Sequence, residues 1–426
     1  MKFLRPHVLF FTCLLLLATT PVATAQTTSG FRQSDLTCQA QCSAPNQSDS
    51  LVHPWGVSFL AHQNFFIAEN GAGRVDGYDI TGVLSSSVTI PLPGGSTAGV
   101  SKPTGIVVDP DLNIRIGRTA FELFAATQEG TIVGFTFQNG APSQAAIIVD
   151  HSLSAEFTGL TLLHPTCCNP VLAAANFHDG EIEVFGPSQI ALPGAFEDPN
   201  LPAGYAPFNI QTIGNQVFVT FAKQDESRRT PVAGDGLGIV SVFDQDGNFI
   251  RRFVSNGGNL NAPWGITATS ANFGPFANDI LVGNAGDGRI DVYDPATAEF
   301  LGPLVDGEQK PISNAELRGL LFRNDDAGDP DSLFFVANPE IDGVATGLFS
   351  TIGVGRLTTT RLTVQNAILG IEASLVADVR PSVGGGTVSG KVVFFDNGTR
   401  LDDDGVVNGS AGIVTTFTHS GIHTIT

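Results

Sequence analysis

Short apolar runs, each followed by a polar glycine-rich turn and then an alternating segment, recur along most of the chain. FFIAENGAGRVDGYD (65–79), LFAATQEGTIVGFTF (123–137), VLAAANFHDGEIEVFG (171–186) and ILVGNAGDGRIDVYD (280–294) carry the pattern in full. QVFVTFAKQD (216–225) with GLGIVSVFD (236–244) repeats it around an insertion, and LFFVANPEIDGVATGLFS (333–350) is a sixth copy. Hydrophobicity with a period of two, broken by Gly, Asn and Asp, predicts hairpins of half-buried strands.

A second motif precedes each hairpin. PWGVSF (54–59), PTGIVV (103–108), FTGLTL (157–162), PFNIQT (207–212), PWGITA (263–268) and LRGLLF (317–322) align on Gly56, Gly105, Gly159, Asn209, Gly265 and Gly319. Asn best tolerates a left-handed backbone among non-glycine residues, so Asn209 in this column predicts a shared left-handed turn. Six repeats of about fifty residues built from short strands predict an all-β, six-bladed β-propeller over residues 30–355. FIRRFVSNGGNLNAPWG (249–265) sets an outer strand ahead of a blade, and GFRQSDLTCQAQ…LVHPWG (30–56) repeats that layout with no blade before it. The N-terminal strand is therefore expected to complete the last blade and close the ring, which protects its edges.

After Gly355 the fifty-residue pattern stops. ASLVADVRP (373–381), GKVVFFDNGTRL (390–401), GIVTTFTHS (412–420) and GIHTIT (421–426) predict a separate small β-sandwich over 356–426. Asp402, Asp403 and Asp404 lack the Gly-and-Glu register of an EF-hand loop and read as a solvated turn.

Pro-x-Gly paired with a later Ala-x-Asn-x-x-x-Gly turn resembles the NHL-repeat propellers. GAFEDPNLPAGYAPFNIQ (194–211), LVGNAGDGRI (281–290) and FDQDGNFIRRF (243–253) resemble a family of secreted bacterial propellers with no assigned activity. The likeness covers roughly 31–355, and Thr127-Gln128 departs from the usual Asn turn. VSGKVVFFDNGTRL and SGIHTIT resemble the bacterial Ig-like repeats of surface and adhesion proteins. Such domains finish with one further strand after the HTIT-like segment. The resemblance thus implies an Ig-like domain whose last strand is missing or supplied by a neighbouring chain.

The first 25 residues read as a secretory signal: Lys2 and Arg5, an apolar stretch from Val8 to Leu17, then Ala23-Thr24-Ala25. The apolar stretch is too short to span a bilayer comfortably. A secreted or cell-surface location is expected, without membrane insertion. Export permits disulfides among Cys38, Cys42, Cys167 and Cys168, with three pairings open. No histidine stands at zinc-ligand spacing to either pair. A formal net charge of −20, from 41 Asp and Glu against 21 Lys and Arg, disfavours nucleic acid as a partner. Forty-nine glycines and 25 prolines leave little room for long helices.

Strand alternation sets the second turn of every blade on the face where its first strand begins. That face collects Trp55, Trp264, Phe208, Asn70, Asn176, Asn284 and Asn338, with Glu69, Asp225 and Asp287 beside them. Two readings follow for the oxygen-bearing set Glu69, Asn70, Asn176, Asn284 and Asn338. In one, these residues hold Ca²⁺ around a central channel, as in propeller lactonases, and support a hydrolase or lyase. In the other, the asparagines cap their own tight turns. The three aromatic residues either line an open concave face or pack in the core. His178 lies in the third repeat's turn, and Lys223 and Asp225 open the long insertion 226–235, a surface loop suited to ligand contact. No Gly-x-Ser-x-Gly elbow or phosphate-cradling loop is present, so no catalytic residue and no nucleotide cofactor is assigned. The expected function is that of an extracellular binding or adhesion-type protein whose ligand is a protein or glycan. The Ca²⁺-dependent hydrolase or lyase is the alternative.

Overall fold

The computed structural model describes residues 30–426 apart from 41, 43, 61–63, 117–118, 139–140, 168, 187–194, 324–330, 342, 356–357, 366, 382–387 and 389–390. The signal segment 1–25 lies outside the described residues. Residues 30–355 form one compact unit, and residues 356–426 belong to a second.

The first unit is a ring of six antiparallel blades. Blade 1 runs Pro54–Phe59, Phe65–Glu69, Arg74–Tyr78 and Leu84–Thr89 from the axis outward. Blade 2 is Pro103–Val108, Leu123–Thr127, Thr131–Phe135 and Ala146–Asp150. Blade 3 has Phe157–Leu163, Val171–Asn176 and Glu181–Phe185. Blade 4 is Tyr205–Ile213, Gln216–Lys223, Gly238–Asp244 and Phe249–Val254. Blade 5 is Pro263–Ala268, Ile280–Asn284, Ile290–Tyr293 and Phe300–Pro303. Blade 6 combines Leu320–Phe322, Leu333–Ala337 and Leu348–Val354 with the N-terminal strand Phe31–Cys38. That strand pairs antiparallel with Leu348–Val354, from Phe31 opposite Val354 to Cys38 opposite Leu348. Phe31 is buried between Phe273 at 4.8 Å and Phe276 at 5.8 Å, and the strand ends in a Cys38–Cys42 disulfide. Cys167 is disulfide-bonded as well.

Phenylalanines of the first unit pack in the seams between blades. Phe65 of blade 1 stacks at 4.3 Å on Phe334 of blade 6, and Phe66 joins Leu123 and Phe135 of blade 2 in one cluster. A fully buried Phe contributes about 1.5–3 kcal/mol by removal from water, so each such seam holds its two blades firmly.

The glycine column has a different cause from the one predicted. None of Gly56, Gly105, Gly159, Gly265, Gly319 or Asn209 has a positive φ; all lie on the innermost strands or at their start. A Cβ on Gly105 would sit 2.6 Å from the carbonyl carbon of Gly159 and closer still to the backbone nitrogen of Leu160. One on Gly319 would sit 2.9 Å from the Trp55 carbonyl oxygen. These glycines let neighbouring inner strands touch around the axis. Left-handed backbone instead occurs three positions earlier, at His53 (φ 51°), Ala262 (φ 48°) and Glu316 (φ 52°).

In the second unit, Thr358–Gln365, Glu372–Pro381 and Ser410–Thr416 form one sheet, and Lys391–Asp396 with Thr399–Gly405 form another. Leu375, Ala377, Ile413 and Phe394 share one core. The triple aspartate lies inside the strand Thr399–Gly405, not in a solvated turn. Asp403 pairs with Arg400, and Asp404 accepts a hydrogen bond from the Gly412 amide at 2.8 Å.

Candidate functional site

The residue preceding each glycine of the inner strands, or Asn209 in blade 4, forms a layer across the axis: Trp55, Thr104, Thr158, Phe208, Trp264 and Arg318. Trp55 and Trp264 are each 4 % exposed and Phe208 is fully buried, so they do not line an open concave face. They pack edge to face on one another at 6.1–6.2 Å between ring centres. The Trp264 indole N–H donates to the Thr158 carbonyl at 2.9 Å, and Asn209 Nδ2 donates to the Trp264 carbonyl at 2.9 Å. Arg318 completes the plug, its guanidinium 4.6 Å from the centre of the Trp55 ring and 5.7 Å from that of Phe208. Burial pulls the Arg318 pKa down to about 10, Glu316 opposes this, and among the described residues Nε has no hydrogen-bond partner. Beneath the plug the channel narrows to a cavity of about 20 Å³ lined by Gly56, Gly105, Asn209, Gly265 and Gly319. That space holds about one water molecule.

Above the plug lies a polar rim built by successive blades. Asn338 Nδ2 donates to Glu316 Oε2 at 3.2 Å, and His53 Nε2 meets the same oxygen at 2.7 Å. His53 Nδ1 accepts from the Trp55 indole at 3.3 Å, which assigns the ring proton to Nε2 and directs it at Glu316. Asn70 approaches His53 at 3.4 Å and donates to Gln128 Oε1 at 3.1 Å. Gln128 donates to Glu156 Oε1 at 3.1 Å, and Arg229 of the blade 4 insertion reaches Glu156 Oε2 at 2.9 Å. The hydrogen bond from His53 holds the Glu316 pKa down at about 2. Burial raises that of Glu156, offset by Gln128, Arg229 and His178. The His178 Nδ1 atom is buried without a hydrogen-bond partner among the described residues. Asp225 accepts from Ser227, Arg229 and Thr230 and so shapes the insertion that delivers Arg229. Lys223 is exposed at the end of its strand, and Asp287 accepts from the Arg289 amide within its own turn.

The predicted metal set is not brought together. Glu69, Asn176 and Asn284 end the second strands of their blades, while Asn70 and Asn338 stand one residue later. A one-residue offset in extended chain turns side chains to opposite sides. Asn176 bonds Asp179 and Glu183, Asn284 bonds Asp291, and Glu69 is buried against Tyr78, all inside their own blades. Asn70 and Asn338 face the rim and bond neighbouring residues there. With the channel closed by the plug, the donor set does not fit a calcium ion on the axis. Arg318, Glu156 and Gln128 were not selected from the sequence, although aligning the three residues ahead of each inner-strand glycine would have raised the first two. Arg229 falls in the insertion 226–235 expected to contact ligand, but its pairing with Glu156 was not foreseen. Gln128 occupies the Asn70 position, and Arg229 has no counterpart in any other repeat.

No family model matches the chain. The uncharacterized protein R648 of Acanthamoeba polyphaga mimivirus is 30 % identical over 324 residues, 72 % of this chain and 76 % of that protein. A second uncharacterized protein of the same virus, L690, is 29 % identical over 284 residues, 63 % of this chain and 73 % of its own. These relatives overturn the expectation of a bacterial family: they are giant-virus proteins. Among solved structures, the PQQ-bound aldose sugar dehydrogenase of Streptomyces coelicolor aligns with a TM-score of 0.47 at 13 % identity, covering 77 % of this chain and 99 % of that one. A streptogramin B lyase aligns with a TM-score of 0.42 at 13 % identity, covering 76 % and 98 %.

Proposed function

The chain belongs to the family of the mimivirus protein R648, and from that premise we propose that it is an exported binding protein that takes its ligand on the upper rim of the ring. One observation carries the reading: hydrogen bonds link Asn338, Glu316 and His53 on one arc and Asn70, Gln128, Glu156 and Arg229 on the other, above a sealed channel. Sealing removes the axis as a place for substrate and leaves the rim as the concentration of polar groups. His53, Glu316 and Arg229 side chains are 33 %, 47 % and 52 % exposed, so they are open to a protein or glycan while their inner neighbours hold them in place. Location outside the cell rests on the signal-like segment 1–25. A glycan array and a panel of surface proteins, probed with the full chain and with His53→Ala and Arg229→Ala, test the reading. Binding lost in both variants supports it; binding that survives in both contradicts it.

A second reading has its own observation. Glu156, with its pKa raised by burial, stands beside Arg229 and within electrostatic reach of His178, a pairing suited to proton transfer in a hydrolase or lyase. Turnover on a lactone and glycan panel that disappears in Glu156→Gln would favour this reading over simple binding.

A further inference from the structure

Blades 1, 3 and 5 share a polar pair inside the blade, linking the end of the second strand to the third; both members are buried in blades 1 and 5, while Glu183 of blade 3 is partly exposed. In blade 5, Asn284 Nδ2 donates to Asp291 Oδ2 at 2.9 Å; in blade 3, Asn176 Nδ2 donates to Glu183 Oε1 at 2.8 Å. Blade 1 has the same register, with Asp76 opposite Ile67 where Asp291 is opposite Val282 and Glu183 opposite Ala174. Its pair is Glu69 with Asp76. The amide that donates in the other two blades is replaced by a carboxyl, and both residues are fully buried.

A backbone hydrogen bond from Val52 also reaches Glu69, and the rest of the shell is hydroxyl oxygen. Ser50 and Ser87 donate to the two Asp76 oxygens at 2.5 Å each, Ser48 and Ser50 lie 3.0 Å apart, and Tyr78 reaches Glu69 Oε1 at 3.4 Å. Among the described residues, Glu69 Oε2 has no hydrogen-bond partner and no Lys, Arg or His is hydrogen-bonded to either carboxyl. Two carboxylates placed together out of water are costly unless a positive charge joins them.

We propose that blade 1 binds one Ca²⁺ ion between Glu69 and Asp76, with the hydroxyls of Ser48 and Ser50 in its oxygen shell. Two carboxylates neutralise a divalent ion. An all-oxygen, nitrogen-free and sulfur-free set selects hard cations. Ca²⁺ accepts six to eight oxygens in flexible geometry, whereas Mg²⁺ keeps several waters, for which a fully buried pair leaves little place. Ser48 and Ser50 belong to the segment joining the closing strand Phe31–Cys38 to blade 1. The ion therefore fastens that segment to the blade and makes ring stability calcium-dependent.

The competing account is a single proton shared by the carboxyls, consistent with burial and the nearby Asp76 raising the Glu69 pKa. Full-length protein is unfolded and refolded at pH 8 in EDTA or in CaCl₂, then assayed for bound metal and melting temperature. One Ca²⁺ per chain is expected, with a Tm about 3 °C or more higher at a hundredfold excess over Kd. Glu69→Asn, which installs the arrangement of blades 3 and 5, should bind no calcium, lose the shift and exceed the wild type in EDTA. Asp76→Asn should also lose the shift. A wild type with no bound calcium and an unchanged Tm overturns the proposal in favour of the shared proton. Calcium retained by Glu69→Asn overturns it by placing the ion elsewhere. Rim-ligand binding is read separately, so neither result bears on the proposed function.

Discussion

Replacing Gly105 separates two explanations of the same sequence column. If the column existed for left-handed backbone, Asn would be tolerated there as it is at position 209 of blade 4. Close approach forbids both Ala and Asn. An added Cβ lies 2.6 Å from the Gly159 carbonyl carbon and 2.8 Å from its Cα, where ordinary contact needs 3.4 Å or more. The obstacle is backbone, which has no rotamer to change, so the inner strands of blades 2 and 3 must part by at least roughly 0.8 Å, and by more to clear the nearer Leu160 nitrogen. Overpacking of this kind costs about 1–3 kcal/mol. At about 2 °C per kcal/mol for a domain of this size, the expected fall in Tm is about 2–6 °C for Gly105→Ala. Gly105→Asn should fall at least as far. Gly307→Ala, with nothing within 4 Å of its added Cβ and no positive φ, serves as the control and should be nearly neutral. Asn209 itself is accommodated because Gly159 faces it and its amide finds the Trp264 carbonyl. Thermal and urea unfolding of the four proteins decide the matter. A Gly105→Asn variant as stable as wild type would refute the close-approach account.

Further expectations concern closure and charge. Phe31→Ala removes a buried ring from between Phe273 and Phe276, a loss of about 3–5 kcal/mol that calorimetry should read as a Tm lowered by about 6 °C or more. Phe300→Ala, at a partly exposed ring, should change it much less. Glu316 is held at about 2 against an ordinary 4.5, so its stabilising effect is complete above pH 4.5 and fades as pH falls toward 2. Glu316→Gln should flatten the Tm profile across that window. Asp291 shows the opposite sign: burial pushes it up to about 7, so ionising it weakens the fold as pH rises from 3.8 to 7. Asp291→Asn should raise Tm at pH 8 and leave it nearly unchanged below pH 4.

Repetition made the architecture legible. Six copies of one strand pattern defined the blades, and a strand motif without a blade before it identified the closing strand. The repeats also showed that positions 55, 208 and 264 are equivalent, but not which way they point. A Trp next to a glycine reads alike whether it caps an open face or plugs a channel. The answer lies in how closely six inner strands converge, which is a property of the ring and not of any repeat. Pooling Glu69 and Asn176 with Asn70 and Asn338 failed for a simpler reason: one residue of offset in a strand reverses the side. Arg318 was hidden because its blade carries Leu-Arg-Gly where the others begin with Pro or Phe. The contact of Arg229 with Glu156 was hidden because the insertion carries it there across 73 residues of sequence.

Location of the ligand on the upper rim is the central claim, and hydrogen exchange of the full chain with and without a retained panel ligand tests it most directly. Protection should concentrate in residues 51–54, 69–73, 127–130, 176–180, 224–230 and 314–317. Protection confined to the opposite turns of the blades, or to residues 356–426, would contradict it.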